Sequence, residues 1–578
     1  MSTMLAAALV TACGNGPEPA AGFALGSGAE ASMLTAAIGG EEGSNDSLAA
    51  SYLAGRIALD DGDLRTAAES FGMALRLDPG NVELRRQVFT LLLGIGDYGA
   101  ALDLARELAE RDPAFGEARL LLAAEAVIAD DFAVAGRHLD GIGERELVSI
   151  AKPILDAWVA FGAGDTTTAL ALLAVDSERG GLERIRRFHA ASMRGLLGEI
   201  ATAQGMLRDL VEPDGRNPVR LVVALAAVEM LAAEPAAAEA LLGSQLQVEP
   251  GDIVLEDALA AARAGTGPAL PIDGPASGMA DALASLAGAF DEQGAQAQAL
   301  VLARIAHFLA PAQGDTALLI ARIHLRQENP AEAALVLDAV PADSLYAWEA
   351  RLLRAQALAT MEQADEAVAV LEEMAAERPQ RIDALIAQGD TLRREERYAE
   401  AERAYDRALQ RVPEITVGHW PLLYARGITR ERTDRWPEAE ADLQAALALE
   451  PDQPLVLNYL GYSWVDQGMN LEEAQAMLRR AVDLRPDDGY IVDSLGWAYY
   501  RLGRYDDAVR YLERAVELRP QDPVINDHLG DAYWKVGRLR EARFQWQRAL
   551  TFEPEDDEVA AIERKLERGL ETNGPSRG

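Results

Sequence analysis

Asp493-Ser494-Leu495-Gly496-Trp497-Ala498-Tyr499, continued by Gly503, Ala508, Leu512, Ala515 and Pro520, encodes two short helices packed against each other. Gly496 and Ala508 are small enough to let the helices approach closely, and Leu495, Tyr499 and Leu512 fill the space around that contact. Gly503 ends the first helix, where a residue without a Cβ takes left-handed dihedrals freely. Pro520 stops the second helix before the next pair begins.

The same arrangement recurs on both sides. Downstream stand Leu529-Gly530, Tyr533, Gly537, Ala542, Trp546, Ala549 and Pro554. Upstream stand Gly461, Trp464, Gly468, Ala474, Leu478, Ala481 and Pro486, then Gly427, Ala439, Ala446 and Pro451, then Gly389, Ala401, Tyr405, Ala408 and Pro413. Near the N-terminus Gly55, Ala67, Phe71, Ala74 and Pro79 repeat it. Pro79 and Pro113 are 34 residues apart, as are Pro379 and Pro413, and Pro451, Pro486, Pro520 and Pro554 follow at 35, 34 and 34. Between about 116 and 375 only Ala135, Ala169, Ala203, Ala333 and Ala367 keep the small position, which predicts degenerate helix pairs carried by a period-3.6 apolar stripe.

A 34-residue period with two helical segments per unit resembles the tetratricopeptide-repeat (TPR) family. The resemblance implies an all-α TPR superhelical solenoid of antiparallel helix pairs, right-handed, in which the first helix of each pair lines a concave groove. Applied to this sequence, that phase puts Asn458, Tyr462, Asp493, Trp497, Tyr500, Arg501, Asp527, Asp531 and Trp534 on the groove wall. Six of the eight tryptophans lie after residue 413, and aromatics with Arg in a concave setting are the usual material of a protein-binding hot spot. The Lys/Asn/Arg carboxylate clamp of chaperone-binding TPR domains is absent, because these positions are mainly acidic or aromatic.

Composition agrees with helix. Ala, Leu, Glu and Arg dominate the 578 residues, and such side chains lose little rotamer freedom in a helix. A formal charge of −39 opposes nucleic-acid binding, which depends on cations displacing counterions from phosphates. The histidines (His138, His189, His307, His324, His419 and His528) stand singly, without metal-ligand spacing. There is no H-E-x-x-H, no G-x-x-x-x-G-K and no G-x-S-x-G, so the reading is non-catalytic, with no cofactor, no metal and no small-molecule substrate.

The single cysteine, Cys13, ends the run Val10-Thr11-Ala12-Cys13, which resembles a bacterial lipobox and implies lipidation at Cys13. Met1-Ser2-Thr3 departs from secretory signals in carrying no Lys or Arg. Gly14 after the cysteine implies the outer membrane. The expected layout is a lipoprotein-type signal segment over 1–13, a flexible tether over 14–47, an N-terminal TPR solenoid over 48–264, and a Gly/Pro-rich loop or hinge over 265–278. A C-terminal solenoid over 279–554, a capping helix over 555–570 and a disordered tail over 571–578 complete it. Lipobox, repeats and the block Leu457-Asn458-Tyr459-Leu460-Gly461-Tyr462 resemble large bacterial outer-membrane TPR lipoproteins, some of which are adaptors of carboxyl-terminal processing proteases. The resemblance implies a periplasm-facing scaffold that holds a protein partner such as a protease or envelope-assembly protein. The alternatives are an assembly factor for pilus, secretion or exopolysaccharide machinery, and a cytoplasmic regulatory TPR protein if the lipobox is accidental.

Overall fold

The computed structural model describes residues 47–570, apart from 113, 144–146, 175–179 and 213–214. Cys13, its lipobox, the tether up to residue 46 and the 571–578 tail lie outside the described residues. Every regular element among those described is a helix. Contacts divide the chain into an N-terminal unit, Met1–Ala367, and a C-terminal unit, Val368–Gly578.

In the N-terminal unit α1 (Leu48–Asp60), α2 (Leu64–Leu77), α3 (Val82–Gly94), α4 (Tyr98–Arg111), α5 (Gly116–Ile128) and α6 (Phe132–Asp140) form three antiparallel pairs. They are followed by α7 (Lys152–Gly162), α8 (Thr166–Leu173), α9 (Gly180–Leu196), α10 (Ile200–Arg208), α11 (Val219–Leu231), α12 (Pro235–Val248) and α13 (Ile253–Arg263). Then come α14 (Pro275–Glu292), α15 (Gln296–Leu309), α16 (Gly314–Arg326), α17 (Pro330–Asp338) and α18 (Ala347–Thr360), with α19 (Ala364–Glu377) running through the division. The C-terminal unit continues with α20 (Asp383–Arg394), α21 (Tyr398–Arg411), α22 (Trp420–Glu431), α23 (Trp436–Leu449), α24 (Pro454–Asp466) and α25 (Leu471–Leu484). It ends with α26 (Gly489–Arg501), α27 (Tyr505–Leu518), α28 (Pro523–Lys535), α29 (Leu539–Thr551) and α30 (Asp556–Arg568).

Within a pair the small first-helix residue sits on a large second-helix side chain. A Cβ added at Gly389 would stand 2.3 Å from the Tyr405 ring, and one at Gly530 would stand 2.4 Å from Trp546. Ala135, Ala169, Ala203, Ala333 and Ala367 are fully buried, so the degenerate stretch keeps the same close contact. The turn after each first helix is left-handed throughout: Gly62, Gly96, Gly468, Gly503 and Gly537 take it, but so do Glu328, Glu362, Glu396 and Asp434, at φ 61°, 60°, 56° and 58°. A Cβ in that region is strained by about 1 kcal/mol or more. Glu396→Gly should therefore raise stability by about 0.5–1 kcal/mol, the relief exceeding the extra chain entropy of glycine. A shift of the denaturant midpoint upward checks it; a downward shift would mean the Glu396 side chain contributes more than its backbone costs.

The start of the second helix differs between the first four pairs of the chain and four pairs of the C-terminal unit. Asp63, Asp97, Asp131 and Asp165 cap α2, α4, α6 and α8, each accepting from a backbone N–H three residues on. At the same place α21, α23, α27 and α29 have Arg397, Arg435, Arg504 and Arg538, each donating to an acid three residues on: Glu400, Glu438, Asp507 and Glu541. Those exposed pairs add tenths of a kcal/mol. A denser network ties α21 to α22 and α23: Arg426 and Arg430 both donate to the buried Asp442 carboxylate, and Arg430 also to Glu402.

The 265–278 stretch lies inside the N-terminal unit, and the division falls only after Ala367. It serves as a turn-back. Ile272 is buried, Gln313 donates to the Pro271 carbonyl at 2.9 Å, and Ser277 bonds the Asp273 carboxylate at 2.6 Å. The helix that follows, α14, packs on α7 and α5, and α15 packs on α5 and α3. The inner wall of these repeats is therefore filled by the chain's own helices. Trp158 on α7 is fully buried against Gly278 of α14, where a Cβ would stand 2.1 Å from the indole. Between α4 and α15 the Tyr98 hydroxyl donates to the Arg304 carbonyl at 3.1 Å.

Candidate protein-binding wall in the C-terminal unit

The predicted wall residues lie on the first helices α24, α26 and α28, and the structure sorts them into three groups. Asp493, Trp497 and Tyr500 on α26 join a stack with His528 of α28. The Trp497 ring lies 4.1 Å from the His528 ring at 13° and 4.7 Å from Tyr500 at 7°. His528 Nδ1 sits 3.0 Å from an Asp493 carboxylate oxygen. Burial works against the imidazolium, but Asp493, with Asp527 and Asp531 behind it, outweighs burial and raises the His528 pKa. Stacked aromatic rings at this separation attract one another. Asp493 is buried and turned to this histidine, so it joins adjacent repeats.

Asp527, Asp531 and Trp534 form a second group, engaged by the terminal helix α30. Lys565 Nζ lies 2.6 Å from Asp527 and 2.9 Å from Asp531. The Trp546 Nε1–H also donates to Asp531 at 2.9 Å. Burial, then Asp527, push the Asp531 carboxyl up to about 6, with Lys565 pulling the other way. Trp534 lies 5.4 Å from Trp546, and a Cβ at Gly569 would fall 1.9 Å from its ring. These three side chains hold the cap. Lys565→Ala leaves two carboxylates facing each other, and it should cost about 2 kcal/mol, less than a fully buried pair because Lys565 keeps some exposure. Hydrogen exchange over 556–568 should then lose its protection, while unchanged protection would show that α30 is held by its apolar face alone.

The third group is an open face, to which the stacked Trp497 and Tyr500 also contribute. Tyr462, Trp497 and Tyr500 are half-buried, and Arg501 is exposed. Arg501 donates to the Asp466 carbonyl at 3.1 Å, bridging α26 to α24. Burial, then Asp493 and Asp466, push the Tyr462 hydroxyl up to about 12, so it is a hydrogen-bond donor at neutral pH. Asn458 Oδ1 is buried with no hydrogen-bond partner among the described residues. Val465, next to this strip, is fully buried core.

Two participants escaped sequence reading. His528 was legible only as an isolated histidine, although it stands 35 residues from Asp493, one repeat plus one position. Lys565 carried the better signal, as one of three lysines in the chain, placed on an amphipathic terminal helix. Among the described residues no three His, Cys, Asp or Glu side chains converge as a metal site, and no helix is long and apolar enough to cross a membrane.

Family models described as tetratricopeptide repeat match residues 318–382, 424–489, 465–523 and 494–558, and a second matches 384–415. The chain carries TPR repeats over these residues. No curated protein matches this sequence. Among solved structures, the APC/C hetero-tetramer Cut9–Hcn1 is similar over 94% of this chain and 99% of that one, at 17% identity and a TM-score of 0.39. A tetratricopeptide repeat protein from Parabacteroides merdae is similar over 43% of this chain and 96% of its own, at 14% identity and a TM-score of 0.35. YrrB, described as a TPR protein with an unusual peptide-binding site, is similar over 30% of this chain and 86% of its own, at 19% identity and a TM-score of 0.25.

Proposed function

We propose that this protein is a non-catalytic scaffold or adaptor that holds a protein partner on the first-helix wall of its C-terminal unit. One observation supports the reading most: Tyr462, Trp497, Tyr500 and Arg501 leave a polar-aromatic strip open to solvent, while the wall next to it is closed by α30. Half-buried aromatics with an exposed Arg contribute large contact area at little entropic cost. The strip is held rigid by the His528 stack and the Arg501–Asp466 bridge, so a partner meets a surface that is already ordered.

The finer reading places the protein at the outer membrane, lipidated on Cys13 and facing the periplasm, where it raises the effective concentration of a partner such as a carboxyl-terminal processing protease. Membrane fractionation of the wild type against Cys13→Ala tests the anchor: the variant should leave the membrane fraction. Photo-crosslinking from position 497 tests the wall. Capture of a periplasmic protease or envelope-assembly protein supports the adaptor reading, and capture of cytosolic proteins alone, with Cys13→Ala unchanged in distribution, overturns its location.

A further inference from the structure

The fold-back of α14 and α15 builds a further site within the N-terminal unit. Where α15 crosses α3 it leaves a cavity of about 580 Å³, bounded by the α1–α2 turn and the Gln327–Asn329 turn after α16. That size is typical of a ligand pocket. Leu59, Leu64, Leu91, Phe115, Leu300 and Val301 give it apolar sides.

The rim is acidic. Asp60, Asp61, Glu83 and Glu328 line it against one cation, Arg86, which is already held by Asp112 and Glu83. Asp60, Asp61 and Glu328 pair with no cation among the described residues. Asn329 is nine-tenths buried beside the cavity, and its side chain makes no capping bond to α17. Its carboxamide oxygen points at the Gly62 position, where a Cβ would stand 2.9 Å away. On α1, Leu53 and Ile57 are 56% and 53% exposed and lie two turns and one turn before Asp61 on the same face. Apolar surface thus continues outward from the cavity mouth.

We infer that this cavity binds a basic peptide segment: large apolar side chains enter between α3 and α15, and flanking Lys or Arg pair with Asp60, Asp61 and Glu328. Asn329 supplies a carboxamide for the peptide backbone. An acidic segment is repelled by three carboxylates that lack counter-charges, and a purely polar one leaves the apolar sides exposed.

A fluorescein-labelled peptide of alternating lysine and leucine, titrated into the full chain, tests the inference. Two control peptides replace leucine by serine or lysine by glutamate. The wild type should bind the lysine–leucine peptide at least about tenfold more tightly than either control. Val301→Trp fills the cavity without changing charge and should weaken binding about tenfold, with the circular dichroism and melting profile unchanged. Should that variant misfold, Asp60→Asn with Asp61→Asn and Glu328→Gln, all at the surface, should weaken binding about tenfold and flatten its salt dependence. Equal affinity for the lysine–serine peptide, equal binding by either variant, or no binding by the wild type overturns the site. A crosslink from position 497 reports on the other unit and is unaffected by these results.

Discussion

Trp158→Ala is expected to lower the stability of the N-terminal unit by about 3–5 kcal/mol, the range for emptying a large aromatic from a closed core. Trp158 is fully buried in α7, edge-on to Phe161 at 5.5 Å and to His189 at 6.0 Å, with α14 pressed against its face at Gly278. Its Nε1–H donates to His189 Nδ1 at 3.1 Å, so truncation also strands a buried acceptor. The loss should fall where α14 meets α7, because that contact has no covalent neighbour to hold it. Hydrogen exchange should show protection lost across 152–162 and 275–292 before the C-terminal unit responds. Trp158→Phe keeps most of the packing and gives up the hydrogen bond, and it should cost about 1–2 kcal/mol more than the missing ring atoms alone. A Trp158→Ala cost under about 1.5 kcal/mol would mean the site collapses, and that α14 is not clamped there.

Acid should destabilise the N-terminal unit. His189, His307 and His324 are buried in it, and burial pulls their pKa values down to about 4, about 4 and about 3, with Arg304 adding to the effect on the last two. Donor-only partners hold two of them neutral: the Trp158 indole faces His189 Nδ1, and an Arg304 guanidinium nitrogen faces His324 Nε2 at 3.0 Å. Below pH ~6.5 the unfolded chain binds a proton at each histidine that the folded chain refuses, so their contribution is whole above pH ~6.5 and is lost as pH falls towards 4. Asp315 runs the other way. Burial, then Asp281, push its carboxyl up to about 6, so its contribution is present at low pH and lost as pH rises through about 6. Burial also raises Glu117 and Asp156 and lowers His138. The largest shifts among these groups are those of the three buried histidines, so the net result is a loss of stability as pH falls from about 6.5 towards 5. Urea unfolding followed through the N-terminal unit should show a clearly lower midpoint at pH 5 than at pH 7. An equal or higher midpoint at pH 5 would show that these histidines are solvated.

The repeat was legible because its determinants are local. Gly496 against Leu512, or Gly389 against Tyr405, are contacts made within one 34-residue unit, and each is visible as a small residue at a fixed offset from a large one. The left-handed turns at Glu328, Glu362, Glu396 and Asp434 were not, since stacking on both sides imposes the conformation whatever residue stands there. The candidate wall was legible as positions on first helices. Which of those positions stayed open was not.

A signal for the covered N-terminal wall did exist. In α5, Ala118, Leu120, Leu121, Leu122, Ala123, Ala124, Ala126 and Val127 are all buried, so the helix is apolar nearly all round. A helix of that kind needs partners on both sides, whereas one bordering an open groove keeps a polar stripe. The α11 sequence, with Leu221 through Val228 buried without a break, has the same character.

By itself the sequence determined the helices, their pairing and the spacing of the pairs, because these depend on side chains a few turns apart. Only the tertiary structure decided which inner surfaces face solvent. The contact of Tyr98 with Arg304 spans 206 residues and that of Lys565 with Asp527 spans 38, and neither follows from the period. Each is selected by the apolar and acidic surface that a finished stack presents, and that surface exists only once the local pairs have formed.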